Sequence, residues 1–377
     1  LGVRWKSGQN VFIAKDFTVH QNQMSEKVAA NTVAFSKFQK KERKKMAFQF
    51  MNSIYDKAKK NVKTIAIPEV TNEYMIKAAA KATADGIANI ILVGNPEDVT
   101  ATAGKAGVDV SGIDVNDTAY KEELLDRYNN SPDKAMPTSF VKKRIDHPLY
   151  LATLLQAVGE ADGTLAGVDT TTYEFVLAAK SIIGMQPNCP TASGLLIEEI
   201  EGFAGDQGNL IGMSDGAVCI QPTVEQHAGI AISSCETFET LTGTEAKCAF
   251  LSFSTDGSGG LSEPVKKVRE AVALAQQLRP DLKIDGEFQA DAAVDARVGE
   301  KKVKRESAVA GHANVLIFPD AAGCNIGSKL VQRLANNVQV YGPIYQGFRL
   351  PILDCSRSDT DVELYNNIAL LAVMAGK

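Results

Sequence analysis

The sequence contains few of the residues that build disulfide frameworks or metal sites. Its 377 residues include six cysteines, with no C-x-x-C pair, and four histidines that stand far apart. Asp285, Glu287, Asp291 and Asp295 lie close together along the chain, but their spacing does not match an EF-hand loop. We therefore predict free cysteines in a reducing cytoplasm, and no metal site.

Long apolar runs and nucleotide-binding motifs are also missing. A bilayer-spanning helix needs about 18 consecutive apolar residues, whereas the longest apolar runs, such as residues 87–94, have the length of one strand. No G-x-G-x-x-G follows a predicted strand, and residues 323–329 carry the Lys and Ser of a Walker A motif in reverse order. The sequence therefore predicts neither a membrane protein nor an enzyme that uses nucleoside triphosphates.

Basic residues are concentrated at the start of the chain. Residues 1–45 have a net charge of +7, whereas the whole chain has a net charge of −5. Residues 46–377 are therefore acidic, which does not suit nucleic acid binding because phosphate neutralisation dominates it. The basic segment is a nucleic-acid-binding arm, an organelle-targeting leader or a disordered extension, and we treat residues 1–45 as a disordered extension or leader outside the fold.

From residue 46 the chain alternates short β-branched runs with longer amphipathic runs. Such alternation is typical of βαβ units, in which a helix connects two parallel strands, so the predicted fold class is α/β. The predicted strands are residues 63–68, 88–94, 164–168, 216–221, 249–254, 284–288, 314–318 and 351–355. The predicted helices are residues 48–59, 72–85, 147–161, 173–183, 223–241, 264–278, 326–336 and 360–375.

A proline-rich segment interrupts this alternation. Residues 185–193 contain Pro187 and Pro190, which block helix formation. We place a domain boundary there and predict a first α/β lobe made of residues 46–187 plus 344–377, so that the last strand and helix return to it. Residues 188–343 form the predicted second lobe.

The first candidate site is the segment of glycine and serine at residues 253–260. It follows a predicted strand and leads into a helix, so its backbone N–H groups and the polar groups of Ser254, Gly257 and Ser258 are candidates to bind an anion. Glycine-rich connections of this kind are also common as plain turns.

A second candidate site is the segment at residues 318–327. A strand ends there in Pro-Asp, a loop of small residues follows, and a helix is expected to begin near Ile326. Small side chains let a ligand approach the backbone, and Asn325 and Gly327 are the candidate contacts. The alternative is a tight turn in which Asn325 caps the helix.

The third candidate site lies between the last predicted strand and the last predicted helix, at residues 354–361. Arg357 can hold a phosphate through two N–H donors, and Ser356 can add a third. Asp359 and Asp361 are candidate proton acceptors or, alternatively, caps of the helix, where T-D-V-E has the pattern of a capping box. Because a cap needs only one of these residues, the segment favours a functional site.

Six long, ordered blocks of the sequence stand out, at residues 251–255, 265–271, 280–293, 310–320, 325–334 and 341–347. They resemble the phosphate acetyltransferase and phosphate butyryltransferase family. The resemblance covers residues 46–377, and the ending from Ser356 onward is closer to the butyryltransferase branch.

This resemblance implies a two-lobed, three-layer αβα fold like that of isocitrate and isopropylmalate dehydrogenases, with the active cleft between the lobes. It also implies a homodimer with phosphate acetyltransferase activity, in which acetyl-CoA, or another short acyl-CoA, reacts with inorganic phosphate to give acyl phosphate and CoA. Coenzyme A is then a substrate, and no cofactor is bound tightly.

The resemblance further implies roles for individual residues. Arg357 would neutralise the charge that develops on the phosphate, and Ser356 would donate a hydrogen bond to it. Asp359, or alternatively Asp361, would remove the thiol proton. Thr171 and Thr172 match a hydroxyl-bearing motif of the family and would bind phosphate.

Two positions depart from the family pattern. Leu177 stands where the family places a substrate-binding arginine, and residues 129–137 lack the arginine of an L-R-K-H-K-G block. These departures leave open a second hypothesis, a non-catalytic or altered-specificity relative that binds CoA or an acyl phosphate. A metal-dependent dehydrogenase of the same fold is a third hypothesis.

Overall fold

Two β-sheets with helices packed against them make up the described part of the chain. The computed structural model describes residues 48–116, 120–205, 208–260 and 262–376, and the extension predicted at residues 1–45 lies outside these ranges. Residues 50–377 form one compact unit. The predicted mixed α/β fold is confirmed by this architecture.

The first sheet has the strand order β11-β4-β1-β2-β3. Its strands are β1 (Lys63–Ile67), β2 (Ala88–Val93), β3 (Asp114–Asn116), β4 (Gly163–Ala166) and β11 (Ile352–Asp354). All of its pairings are parallel, so the carboxyl ends of the strands lie at one edge.

The second sheet has the order β10-β5-β6-β9-β7-β8. Its strands are β5 (Ser193–Ile200), β6 (Leu210–Ser214), β7 (Lys247–Leu251), β8 (Lys283–Phe288), β9 (Val315–Ile317) and β10 (Val338–Gln346). The pairings of β10 with β5 and of β5 with β6 are antiparallel, and the others are parallel.

The helices lie between these strands in chain order. Those that precede β5 are α1 (Phe50–Lys60), α2 (Glu73–Ala84), α3 (Pro96–Ala106), α4 (Lys121–Asn130), α5 (Thr138–Lys142), α6 (Pro148–Ala157) and α7 (Thr172–Ile182). Those that follow β6 are α8 (Val224–Thr242), α9 (Glu263–Leu278), α10 (Ala290–Val294), α11 (Ala296–Lys302), α12 (Ala321–Leu334) and α13 (Asp361–Met374). Within the described ranges, none of the helices combines the length and the apolar character needed to cross a bilayer.

The last helix joins the core of the first sheet. Leu364, Ile368 and Leu371 recur on one face of α13 and are buried where this helix packs against α1, α2 and β1. Burying one such side chain contributes about 1.5–3 kcal/mol. This packing holds α13, and the loop that precedes it, against the sheet.

One predicted strand is wrong. Residues 216–221 form a turn, because the buried carboxylate of Asp215 accepts hydrogen bonds from the N–H groups of Ala217, Val218 and Cys219. These N–H groups are therefore not available to a sheet, and the strand of this region is β6, which ends at residue 214.

Several elements are missing from the prediction. The structure adds α3, β3, α4 and α5 between residues 96 and 142, and it adds β5 and β10 in the second sheet. The division into lobes stays a prediction. The boundary expected at residues 343–344 falls inside β10, which pairs with β5 from Val338 to Gln346.

Candidate active site

The loops that follow β1, β4 and β11 meet at one edge of the first sheet. The three strands are parallel neighbours, so their carboxyl ends lie side by side. Strands β2 and β3 extend the sheet on one side of β1, whereas β4 and β11 extend it on the other. In open α/β sheets such a reversal leaves a crevice at the carboxyl ends, where ligands bind. The predicted residues Ser356 and Arg357 lie on the loop after β11, and Thr171 and Thr172 lie where the loop after β4 enters α7.

A buried glutamate orders the loop after β4. Glu69, which follows β1, is only 6% exposed. Its carboxylate accepts hydrogen bonds of 2.8–3.0 Å from four consecutive backbone N–H groups, those of Gly167, Val168, Asp169 and Thr170. One side chain thus fixes the backbone that leads into α7.

The predicted phosphate ligands Thr171 and Thr172 stand at the start of α7. Thr171 is the N-cap, and its Oγ1 accepts from the N–H of Glu174 at 3.3 Å and donates to the Glu174 carboxylate at 2.7 Å. Thr172 Oγ1 donates to Oδ2 of Asp354, the last residue of β11, at 2.6 Å. The structure therefore brings Thr172 to the segment of the third candidate site, while the cap uses the hydroxyl of Thr171.

Ser356 and Arg357 are exposed on the loop after β11. Ser356 Oγ lies 2.9 Å from Ser358 Oγ and accepts a hydrogen bond from the Ser358 N–H. The charge of Arg357 adds a small effect to the larger one of the Thr171 hydrogen bonds in lowering the pKa of Glu174. Ser356 and Arg357 thus place a hydroxyl and a guanidinium on the loop that leads into α13, and a helix start stabilises an anion.

Asp359 is half-buried beneath this loop. Its Oδ2 accepts hydrogen bonds from the N–H of Ser356 at 3.0 Å and from Nδ2 of Asn367 at 3.1 Å. Burial raises the pKa of Asp359 above its ordinary value, and these two hydrogen bonds offset the rise only in part. A raised pKa makes the carboxylate a better proton acceptor.

The capping box predicted at the start of α13 is confirmed. Thr360 is the N-cap, and its side chain and that of Glu363 exchange hydrogen bonds with each other's backbone N–H groups. Asp361 is the first residue of the helix and remains partly exposed. Neither Asp359 nor Asp361 supplies the cap, so both stay candidates for the base.

A buried carboxylate organises the glycine-rich segment after β7. Glu287, in β8, is 1% exposed. Its Oε1 accepts from Ser254 Oγ at 2.7 Å and from the Gly257 N–H at 2.9 Å, and its Oε2 accepts from Arg269 Nε at 2.6 Å. The protein's own carboxylate therefore occupies the place expected for a bound anion.

The remaining groups of this segment also bond internally. Ser254 Oγ accepts from the N–H of Gly259 at 2.8 Å, and the exposed Ser258 accepts from the N–H of Thr255 at 3.0 Å. The N–H groups of residues 256, 258 and 260 bond to backbone carbonyls. Contact of Ser254, Gly257 and Ser258 with substrate stays a prediction, because the structure uses their polar groups to hold the loop.

The segment before α12 differs from its predicted conformation. The helix begins at Ala321 rather than near Ile326, because Asp320 Oδ1 caps it by accepting from the Gly323 N–H at 2.7 Å. The expected loop of small residues is therefore the first turns of a helix. The alternative in which Asn325 caps this helix is wrong.

The two candidate residues of this segment differ in their surroundings. Asn325 is exposed on the second turn of α12. Gly327 packs against Phe318, where a Cβ on the glycine would lie 2.9 Å from the ring. Contact of Asn325 and Gly327 with substrate stays a prediction, and Gly327 has a packing role.

Sequence reasoning missed the role of the two carboxylates that order the loops. Glu69 and Glu287 each lie at or just after a buried strand, and an acidic residue in that position was the only available signal. Among the residues that the structure describes, no three His, Cys, Asp or Glu side chains come together to hold a metal ion.

We expect Glu287→Gln to lower the free energy of unfolding at neutral pH. Protonation of Glu287 at acidic pH should have the same effect on the wild type. Burial alone would raise the pKa of Glu287, but hydrogen bonds from Arg269, the Gly257 N–H and Ser254 outweigh it, so the pKa lies below its ordinary value. The ionised carboxylate therefore stabilises the fold above pH ~4.3 and loses this effect as the pH falls through the lower native pKa.

Urea unfolding at pH 7 and pH 3 measures this contribution. The wild type should be more stable than the variant at pH 7, and the difference should shrink at pH 3. Glu300→Gln, at an exposed position in α11, is the control and should leave the free energy of unfolding unchanged. An equal difference at both pH values would show that the charge of Glu287 contributes nothing.

The chain matches a family model described as phosphate acetyl/butaryl transferase over residues 49–372. A phosphate acetyltransferase from Acetivibrio thermocellus is 36% identical over 330 residues, which cover 86% of this chain and 98% of that protein. A phosphate acetyltransferase from Clostridium acetobutylicum is 37% identical over 329 residues, with coverage of 86% and 98%.

Solved structures agree with the sequence matches. The EutD phosphotransacetylase from Staphylococcus aureus is 32% identical and superposes with a TM-score of 0.77, covering 87% of this chain and 98% of that one. A phosphotransacetylase from Streptococcus pyogenes is 31% identical, with a TM-score of 0.78 and the same coverage.

Proposed function

The chain belongs to the phosphate acetyl/butaryl transferase family, and we propose that it transfers an acetyl group, or another short acyl group, between coenzyme A and inorganic phosphate. The observation that carries this proposal is the meeting of two loops at the edge of the first sheet. Thr172 of one loop bonds Asp354 at the start of the other, and Ser356 and Arg357 follow within three residues.

The reaction needs a phosphate site and a proton acceptor. In the direction of thioester formation, the CoA sulfur attacks the acyl carbon, the bond from that carbon to the phosphate oxygen breaks, and phosphate leaves with the bonding electrons. Arg357 neutralises the charge that grows on the phosphate, and Ser356 donates a hydrogen bond to it. Asp359 takes the thiol proton, with Asp361 as the alternative acceptor.

The proton transfer depends on the environment of Asp359. An ordinary Asp has a pKa of ~3.9 and an ordinary thiol one of ~8.5, so transfer between them is uphill by about 6 kcal/mol. The burial that raises the pKa of Asp359 reduces this difference. The positive charge of Arg357 reduces it further by stabilising the thiolate.

An altered acyl specificity is the second candidate function. Tyr173 and Leu177 lie one helical turn apart on α7, and they are 75% and 39% exposed. Two exposed apolar side chains near the helix start that carries Thr172 favour an acyl chain longer than acetyl. The same reaction would then run on a different acyl phosphate.

The proposed function is tested with a series of acyl phosphates. The purified 377-residue chain should release phosphate from acyl phosphates of two to five carbons only when CoA is present, and the acyl chain length with the highest kcat/KM identifies the substrate. Calorimetric binding of CoA without turnover of any member would instead establish a non-catalytic relative.

We also propose that the protein is a homodimer that associates through α12. The inner face of this helix is buried at Cys324 and Ser328, whereas Ile326, Leu330 and Leu334 recur every four residues on its outer face and are 60%, 53% and 78% exposed. An apolar stripe of this kind on a helix surface is typical of an interface. A second copy, as the family resemblance implies, is the proposed occupant.

We expect Leu330→Gln to weaken this dimer. A polar side chain in the middle of the stripe loses apolar burial and leaves an amide to be desolvated. Light scattering after size exclusion should give a dimer for the wild type and a larger monomer fraction for the variant. Lys329→Gln, at the adjacent exposed position, should remain dimeric. A monomeric wild type, or a variant as dimeric as the wild type, would contradict this interface.

We propose CoA as a substrate, with no cofactor bound tightly and neither nucleic acid nor membrane as a partner. All six cysteines are buried free thiols, which supports a reducing cytoplasm as the location.

A further inference from the structure

Asp354 belongs to the proposed site and lies where the first sheet meets the second. It ends β11, it is 8% exposed, and its Oδ2 accepts a hydrogen bond from Thr172 Oγ1 at 2.6 Å. The hydroxyl of Tyr345, which comes from β10 of the second sheet, stands beside both Asp354 and Thr172. Oδ1 of Asp354 is buried and has no hydrogen-bond partner among the described residues.

The backbone at the end of β4 lies directly against this carboxylate. Gly167 has a φ of +117°, and a Cβ there would lie 2.3 Å from Asp354 Oδ1 and 2.6 Å from the backbone N of Cys355. The N–H of Cys355 donates to the carbonyl of Ala166 at 2.7 Å. Only glycine fits at position 167, because the backbone itself forms the wall against Asp354.

Among the described residues, the titratable groups with the largest effects on Asp354 are acidic or neutral. Glu69 faces it from the loop after β1, Asp359 and the Cys355 thiol from its own loop, and Tyr345 from β10. Burial, above all, raises the pKa of Asp354 to about 6, and the charges of Glu69 and Asp359 act in the same direction. The hydroxyls of Thr172 and Tyr345 oppose the rise, because they favour the ionised carboxylate.

We propose that Asp354 is a positioning residue whose ionised carboxylate holds the hydroxyl of Thr172 and attracts that of Tyr345, and thereby sets where the loop of Ser356 and Arg357 leaves the sheet. A hydrogen bond to an ionised carboxylate is roughly twice as strong as one to a neutral acceptor. Protonation of Asp354 therefore weakens its hold on these hydroxyls. The catalytic loop then loses its fixed position relative to the start of α7.

This inference rests on the proposed function and predicts a pH dependence. Because the ionised form is the active one, kcat should fall as the pH drops through about 6, the native pKa of Asp354. The acid limb of the pH profile, in which kcat falls with falling pH, should move to higher pH when a group that stabilises the ionised carboxylate of Asp354 is removed. A residue that only filled space would leave its midpoint unchanged.

Three variants separate these possibilities. Asp354→Asn cannot ionise, so it should remove the part of the acid limb near pH 6 that belongs to Asp354, leave the part that belongs to the base Asp359, and lower kcat at pH 8 by about tenfold or more, with KM changed much less. Tyr345→Phe should stay active and raise the midpoint of the limb. Tyr365→Phe is the matched control, because its hydroxyl donates to Asp85 rather than to Asp354; its midpoint should equal that of the wild type.

A measurement without substrate keeps this inference separate from the proposed function. A carboxyl with a raised native pKa stabilises the fold below its unfolded pKa of ~3.9, and this effect is lost as the pH rises to about 6. The stability of the wild type relative to Asp354→Asn in urea should therefore fall between pH 4 and pH 6 and then stay level.

The outcomes are distinct. If the urea difference depends on pH but no acyl phosphate turns over, the proposed function fails while the titration of Asp354 stands. An acid limb near pH 6 that persists with full kcat in Asp354→Asn, or an unshifted midpoint in Tyr345→Phe, would overturn the positioning role.

Discussion

An Arg357→Ala variant is expected to convert acetyl phosphate and CoA about 10²–10³-fold more slowly than the wild type, in terms of kcat. The guanidinium is exposed at the carboxyl edge of the first sheet, where it meets the charge that grows on the leaving phosphate. Because the side chain is exposed, its removal should leave the free energy of unfolding nearly unchanged. The rate loss therefore reports on chemistry rather than on folding.

Steady-state kinetics of two further variants complete this test. Arg357→Lys keeps the charge but loses bidentate geometry, so its kcat should lie between those of the wild type and the alanine variant. Arg297→Ala removes an arginine that is 88% exposed on α11, and it should have wild-type kinetics. A kcat for Arg357→Ala within threefold of the wild type would remove Arg357 from the mechanism.

A Glu69→Gln variant is expected to lose about 2–4 kcal/mol of stability and, in addition, at least tenfold in kcat/KM. The carboxylate accepts from four consecutive N–H groups at residues 167–170. A glutamine has one acceptor oxygen in place of two. Its NH₂ group would face at least one of the four backbone N–H groups and could not accept a hydrogen bond from it. The loop that leads to Thr171 and Thr172 would then be held less firmly.

The control for this variant is Glu73→Gln, which makes the same chemical change at an exposed position in the first turn of α2. Its stability in urea should change by less than about 0.5 kcal/mol. If Glu69→Gln were as stable and as active as Glu73→Gln, the loop after β4 would not depend on the buried carboxylate.

Local sequence patterns were sufficient for elements with a continuous apolar run or a strong cap. The sequence predicts β1 at residues 63–68 and the structure has it at 63–67, and the cap of α13 at Thr360 is confirmed. The strand expected at residues 216–221 was wrong because one side chain, Asp215, takes the N–H groups that a sheet would use. Short-range apolar patterns do not report such a competition.

The candidate site was predictable only in part, for a related reason. Ser356, Arg357 and Thr172 are recognisable from local motifs and from the family resemblance. Glu69 and Asp354 form hydrogen bonds with residues about 100 and 180 positions away along the chain. The residues near them in sequence therefore do not identify their hydrogen-bond partners. The same holds for Glu287, whose carboxylate takes the place expected for an anion in the glycine-rich segment.

Isotope exchange between inorganic phosphate and acetyl phosphate tests the central claim most directly. Transfer through CoA predicts that labelled phosphate enters acetyl phosphate only when CoA is present, since acetyl-CoA must form before labelled phosphate can attack it. The wild type should show this exchange, and Arg357→Ala should lose most of it. Exchange at the same rate without CoA, or no exchange with CoA in the wild type, would contradict acyl transfer between CoA and phosphate at this site.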